Sequence, residues 1–123
     1  MRTWTNDELD RIGAAQELEI APVRRNGELR TPTTIWAVRA GEDLYVRAAY
    51  GPSTGWYRVA LRSGAGHIAA GGLERDVTIE AAATNVYDAV DAAYRDKYGH
   101  YASIVDGITN GQARATTLRL RPG

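Results

Sequence analysis

Apolar and polar residues alternate from Glu17 to Arg25, with Leu18 and Ile20 on one side and Glu19 on the other, the period of a half-buried strand. Ahead of it, Thr5 and Glu8 stand at capping-box spacing and predict a short helix from about Asn6 to Ala15. Asn26-Gly27 then predicts a type I′ hairpin turn, because both residues tolerate positive φ. The returning strand is expected from Glu28 to Arg39, with Pro32 marking an edge, a bulge or a ligand-facing segment, since proline cannot donate to a ladder. A turn at Ala40-Gly41-Glu42-Asp43 leads into a central strand, Leu44 to Ala49.

Gly51-Pro52-Ser53-Thr54-Gly55 breaks the extended pattern, and Trp56 to Ser63 reads as a short helix with Trp56, Val59 and Ala60 along one side. Two more strands are expected at His67 to Ala70 and Glu74 to Glu80, with the bend supplied by Gly71-Gly72. From Val86 the period becomes helical: Tyr87, Val90, Tyr94 and Tyr98 recur on one stripe that ends at Gly99. Tyr101 to Ile108 adds a further turn or two, and Ala113 to Arg121 closes the chain as a strand. Short turns between most neighbouring strands require antiparallel pairing, so the expected architecture is a six-stranded antiparallel barrel with flanking helices.

At 123 residues and 44% hydrophobic, the chain fits a single domain over residues 1–123. Fifteen basic residues balance fifteen acidic ones, which removes the overall electrostatic footprint of a nucleic-acid or anionic-membrane binder; any charged surface must be local. No apolar run is long enough to cross a bilayer, and the opening Met1-Arg2-Thr3-Trp4-Thr5-Asn6-Asp7 has no signal-peptide core, so a cytoplasmic protein is expected. Without cysteine there is no disulfide, thiolate chemistry or cysteine-held zinc. His67 and His100 sit on different elements without carboxylates at ligand spacing, and no metal site is expected. Ser53, Ser63 and Ser103 lie in no nucleophile elbow, and Gly64-Ala65-Gly66 falls short of a dinucleotide fingerprint.

What remains is a set of basic and hydroxyl-bearing residues on consecutive elements. Arg30, Thr31, Thr33 and Thr34 precede Trp36; Arg47 sits on the next strand, shortly before Ser53 and Thr54 at the mouth of a helix. Arginine forks, hydroxyls and free helix amides suit phosphate oxygens. The threonines also fit ordinary strand propensity, and Arg47 also fits a cross-strand ion pair. Trp36, Trp56 and Tyr57 are candidates either to line a slot for a flat ring or to fill the core. The stripe of Tyr87, Tyr94 and Tyr98 suits packing or a dimer contact.

The run Arg24-Arg25-Asn26-Gly27-Glu28-Leu29-Arg30-Thr31-Pro32-Thr33-Thr34-Ile35-Trp36, followed by Asp43-Leu44-Tyr45-Val46-Arg47 and Gly55-Trp56-Tyr57-Arg58, resembles the split β-barrel proteins that bind flavin mononucleotide (FMN) or a deazaflavin. These include pyridoxamine-phosphate-oxidase-like proteins and deazaflavin-dependent nitroreductases. Thr3-Trp4-Thr5, Ile35-Trp36-Ala37-Val38-Arg39, Gly71-Gly72, Ala93-Tyr94-Arg95-Asp96-Lys97-Tyr98-Gly99 and Ala115-Thr116-Thr117-Leu118-Arg119-Leu120 resemble, more closely, a bacterial family of unknown function numbered 2255.

The resemblance implies an FMN-binding type of split barrel and a homodimer with a flavin-type cofactor between subunits. Its activity would be an oxidoreductase's reduction of a small-molecule substrate. It places Arg30, Thr31, Thr33 and Thr34 at the edge of the ring, with Trp36 and Trp56 the candidates to line its slot, and Arg47, Ser53 and Thr54 at the phosphate, so that Arg47→Ala is expected to weaken phosphate-bearing ligands without unfolding the barrel. Flavin enzymes often follow the phosphate-binding serine with a second arginine or lysine, where this chain has Thr54-Gly55. No catalytic residue is assigned. The alternative is a non-catalytic small-ligand-binding or scaffolding protein that has lost the cofactor.

Overall fold

Thr5 and Glu8 form the expected capping box: the Thr5 hydroxyl accepts from the Glu8 amide at 3.1 Å, and the Glu8 carboxylate accepts from the Thr5 amide at 2.9 Å. A computed structural model describes residues 3–123; Met1 and Arg2, the start of the stretch read for a leader, lie outside the described residues. The capped helix, α1, runs Asn6–Ala14 and buries Leu9 and Ile12. There follow β1 (Leu18–Pro22), β2 (Thr33–Ile35), β3 (Ala37–Ala40), β4 (Asp43–Val46), α2 (Gly55–Ser63), β5 (Ala65–Ala70) and β6 (Leu73–Ala81). A single 3₁₀ turn at Thr84–Val86 leads into α3 (Tyr87–Tyr98), α4 (Ala102–Ile108), α5 (Gly111–Arg114) and β7 (Leu118–Pro122).

All seven strands form one antiparallel sheet in the order β2-β1-β5-β6-β7-β4-β3. Its first and last members, β2 and β3, are separated in the chain by Trp36 alone, so the sheet curls into a nearly closed barrel. Here the structure corrects the sequence reading: the single return strand expected from Glu28 to Arg39 is two strands. Ile35 still faces Leu18 on β1, whereas Ala37 faces Val46 on β4, and the change of partner at Trp36 raises the strand count from six to seven.

The first hairpin differs as well. Gly27 has φ of +85°, yet among the described residues no non-glycine has positive φ, so Asn26 does not take the left-handed conformation that a type I′ turn requires. Instead the Gly27 amide donates to the Arg24 carbonyl at 2.9 Å, and the Asn26 side chain accepts from the Glu28 amide at 3.0 Å. The short helix α5 occupies the start of the expected last strand, leaving β7 to begin at Leu118.

Two cores result. Inside the barrel, alternate strand residues such as Leu18, Ile20, Leu44, Val46, Leu118 and Leu120 meet the apolar faces of α1 and α2. Trp4 joins this core and donates its indole N–H to the Leu120 carbonyl at 2.8 Å. On the other side of β3 and β4, Val38 and Tyr45 pack with Val90, Tyr94 and Tyr98 of α3 and with Val105, Ile108 and Ala113. Tyr94 and Tyr98 of the tyrosine stripe are therefore core, and Tyr87 is half-buried at its start. Among the described residues, no helix is long and apolar enough to cross a membrane.

Candidate functional site

Leaving β4 at Val46, the chain turns away from the sheet because the Ala48 amide is taken by the Thr116 hydroxyl at 2.9 Å rather than by a strand. Residues 47–54 then form one wall of a cleft with a volume of about 310 Å³, contributing Arg47, Ala49, Tyr50 and Thr54. The opposite wall is Thr33, Thr34 and Ile35 of β2 with Trp36. Trp56 from α2 and Ile104 and Ile108 from α4 complete the lining. The surface is largely apolar with a few hydroxyls, and the volume lies at the lower end of the range of about 300–1,000 Å³ typical of small-molecule sites.

Six of the nine residues singled out from the sequence thus meet in one cleft: Thr33, Thr34, Trp36, Arg47, Thr54 and Trp56. Thr31 and Ser53 are exposed and lie outside the lining. Arg30 stands beside it, donating from Nη1 to the Thr33 hydroxyl at 3.0 Å. Its Nη2 lies only 2.9 Å from where a side chain at Gly55 would begin, so a larger residue there would push the guanidinium aside. Among the described residues, Arg30 has no carboxylate within 4.0 Å, which leaves its charge available to a ligand.

Arg47 is different. Its side chain has no solvent exposure, and its guanidinium donates to the Asp91 carboxylate, the Thr117 hydroxyl (2.8 Å), the Ile108 carbonyl (3.2 Å) and the Tyr87 carbonyl (3.2 Å). It also lies 5.6 Å from the Tyr94 ring centroid. A guanidinium has five N–H donors, and four bonds to protein acceptors leave little for a phosphate. The carboxylate partner comes from α3, not from a facing strand.

The hydroxyls are also partly committed: Thr54 donates to the Gly51 carbonyl at 2.8 Å, and Thr34 donates to Glu19. Trp56 and Tyr57 are only 4% and 7% exposed and belong to the barrel core, so they form no apolar surface patch. Trp36 is half-buried. One face of its indole stacks on Tyr98 at 3.9 Å with the rings 2° from parallel, and its carbonyl accepts from the Tyr94 hydroxyl at 3.1 Å. Burial raises the Tyr98 phenol to about 12, and burial lowers the neighbouring Lys97 amine to about 8 while its Nζ donates to the Ala37 carbonyl at 2.6 Å.

Tyr50, Ile104 and Ile108 escaped the sequence reading. The four-residue spacing of the two isoleucines on α4 was the available signal, since it puts both on one helix face. Neither histidine lines the cleft: His67 bonds Asp76 and Glu74 on the barrel surface, and His100 packs on Tyr101. Among the described residues, no group of three or more His, Cys, Asp or Glu side chains is arranged to hold a metal ion.

Residues 8–120 match the family described as "uncharacterized protein conserved in bacteria (DUF2255)". The chain belongs to that family. No curated protein matches this DUF2255 chain. Among solved structures, it is similar to HutZ, a haem storage protein from Vibrio cholerae, with a TM-score of 0.68 and 17% identity over 100% of this chain and 92% of that one. It is also similar to a protein from Mycobacterium smegmatis described as binding FAD and haem (TM-score 0.51, 17% identity, 99% of this chain, 68% of the other). A third is an F420 reductase (TM-score 0.53, 13% identity, 93% and 91%). At such identities these likenesses establish the fold, a split β-barrel, and nothing finer.

Proposed function

We propose that this DUF2255 protein binds a flavin-type ring, FMN or a deazaflavin, in the cleft between β2 and α2, and serves an oxidoreductase's reduction of a small molecule. One observation carries the reading: two indoles, Trp36 and Trp56, and the hydroxyls of Thr33 and Thr54 line one apolar cleft of about 310 Å³. That mixture of flat apolar walls with few polar groups suits a planar heteroaromatic ring. The three similar structures bear names that refer to haem, FAD and F420, each with a flat ring system. A haem would require an axial ligand, and the lining offers only the phenol of Tyr50, without histidine, cysteine or methionine. The donor set therefore favours a flavin or deazaflavin.

In this reading Trp36 holds the ring, its orientation set by the Tyr98 stack behind it. Thr33 offers a hydroxyl to the ring edge. The phosphate end meets Arg30, whose charge has no carboxylate partner, in place of Arg47 and Ser53. The bound ring would supply hydride transfer, and the chain's contribution is to bind, orient and keep water from one face. Support for a homodimer comes from the cleft mouth, where Tyr50 is 90% and Ile104 51% exposed.

A cofactor-free, ligand-binding reading rests on the internal use of Arg47. Titration of the purified protein with FMN and with a deazaflavin separates the two. A visible-absorbance change with thermal protection, weakened about tenfold or more by Arg30→Ala for phosphate-bearing forms, is expected. If neither ligand shifts the melting temperature, the cofactor-free reading replaces the first.

A further inference from the structure

The zero net charge of the chain conceals an uneven distribution. Among the described residues, the arginines with no carboxylate within 4.0 Å are Arg24, Arg25, Arg30, Arg58 and Arg62. They are not scattered. Arg24 and Arg25 form the tip of the β1–β2 hairpin, Arg30 lies on its return arm, and Arg58 and Arg62 are on α2, which packs across β1.

Helix geometry sharpens the grouping. Positions 55, 58 and 62 are spaced i, i+3 and i+7, so they share one side of α2, away from buried Trp56, Tyr57 and Ala60. Gly55 has no side chain, and the Arg30 guanidinium fills that place, putting three guanidinium groups on one stripe. From Gly55 to Arg62 the stripe runs about 10 Å along the axis. No acidic residue lies in α2, and Glu28 is the one carboxylate on the hairpin from Arg24 to Arg30.

Two leucines are interleaved with these charges. Leu61, 47% exposed, lies one turn from Arg58, and Leu29, 49% exposed, precedes Arg30. A purely polyanionic partner such as nucleic acid gains nothing from exposed leucines, and the α2 stripe carries no aromatic ring on which a base could stack. An anionic lipid surface uses both components: phosphates accept from the guanidinium forks while short apolar side chains enter the headgroup boundary.

We infer that the hairpin tip and the outer stripe of α2 form a docking face for an anionic phospholipid surface, held by Arg24, Arg25, Arg58 and Arg62 with Leu29 and Leu61 inserted. Arg30 sits where this face meets the cleft. The association is peripheral and salt-sensitive, and it needs no bound cofactor. Its failure therefore leaves the cleft reading untouched.

Co-sedimentation with vesicles of phosphatidylglycerol and phosphatidylcholine in equal parts, against phosphatidylcholine alone, tests the inference. Binding to the anionic vesicles only, lost at high salt, is expected. The double variant Arg58→Glu/Arg62→Glu should lower partitioning by about twenty-five-fold or more, since each arginine at an anionic surface is worth roughly fivefold. Should that variant fail to fold, as read from its melting curve, Arg58→Gln/Arg62→Gln gives the same direction with a smaller loss. Leu61→Ser should weaken binding several-fold at unchanged charge. No pelleting with anionic vesicles, equal pelleting with neutral ones, indifference to the arginine changes, or release from vesicles by a short oligonucleotide at equimolar phosphate would each overturn it.

Discussion

The barrel interior and the helical side layer share strands β3 and β4 but are held by different forces. Inside, Leu18, Ile20, Leu44, Val46, Leu118 and Leu120 present only hydrocarbon, so burial acts without direction. Outside, Tyr94 and Tyr98 bring hydroxyls that must find the carbonyls of Trp36, Ala37 and Gln16, and Arg47 brings a charge that must find Asp91. Directional partners fix positions more tightly than hydrocarbon does. That is why the cleft wall at Trp36 is built on the side layer: its ring is backed by Tyr98 and its carbonyl is held by Tyr94.

If this contrast is right, the largest single loss comes from the smallest part of the side layer. Arg47→Ala should destabilise the protein by about 4 kcal/mol in urea unfolding, because it removes the buried guanidinium from Asp91, which keeps only Arg114 as an ion-pair partner, and takes a donor from three neutral acceptors. Adding Asp91→Ala should recover part of that loss, whereas simple additivity would show that the two do not act as a pair.

In the barrel the prediction concerns volume rather than bonds. Leu44→Ala, at a site with no exposure, should cost about 3 kcal/mol, while Leu44→Met, which keeps the volume, should cost less than about 1.5 kcal/mol. A larger penalty for methionine would mean that the interior is as directionally specified as the side layer.

The smallest effect belongs to neither core. On the barrel surface, hydrogen bonds donated to Asp76 and, next in weight, to Glu74 raise the His67 imidazole above its ordinary 6.5. A raised folded-state value means that stabilisation is fully present below pH 6.5 and fades as pH rises through the folded value. Melting temperatures of the wild type and His67→Gln should therefore differ at pH 5.5 and converge at pH 9; a gap that widens with pH would contradict the pairing.

Much of this was legible in the chain because it depended on near neighbours. The Thr5 and Glu8 cap, the Gly71-Gly72 bend and the α3 stripe each involve residues within a few positions of one another. Of the Arg30 to Trp36 run, four consecutive residues, Thr33 to Trp36, carry one wall of the cleft. The break at Trp36 was not legible. Residues on both sides of it favour strand, and only the positions of β1 and β4, brought to opposite ends of the sheet, make one run serve two partners. The fate of Arg47 was hidden for the same reason: its acceptors are 40 to 70 positions away.

The sequence by itself determined most of the element types, the antiparallel pairing and several of the residues that line the cleft, because periodicity, capping and turn chemistry act over a few residues. Only the tertiary structure decided which arginine is buried against a carboxylate and which remain free. The charge of a guanidinium is set by its chemistry, but whether that charge is spent depends on which distant acceptors the closing of the barrel brings within about 3 Å.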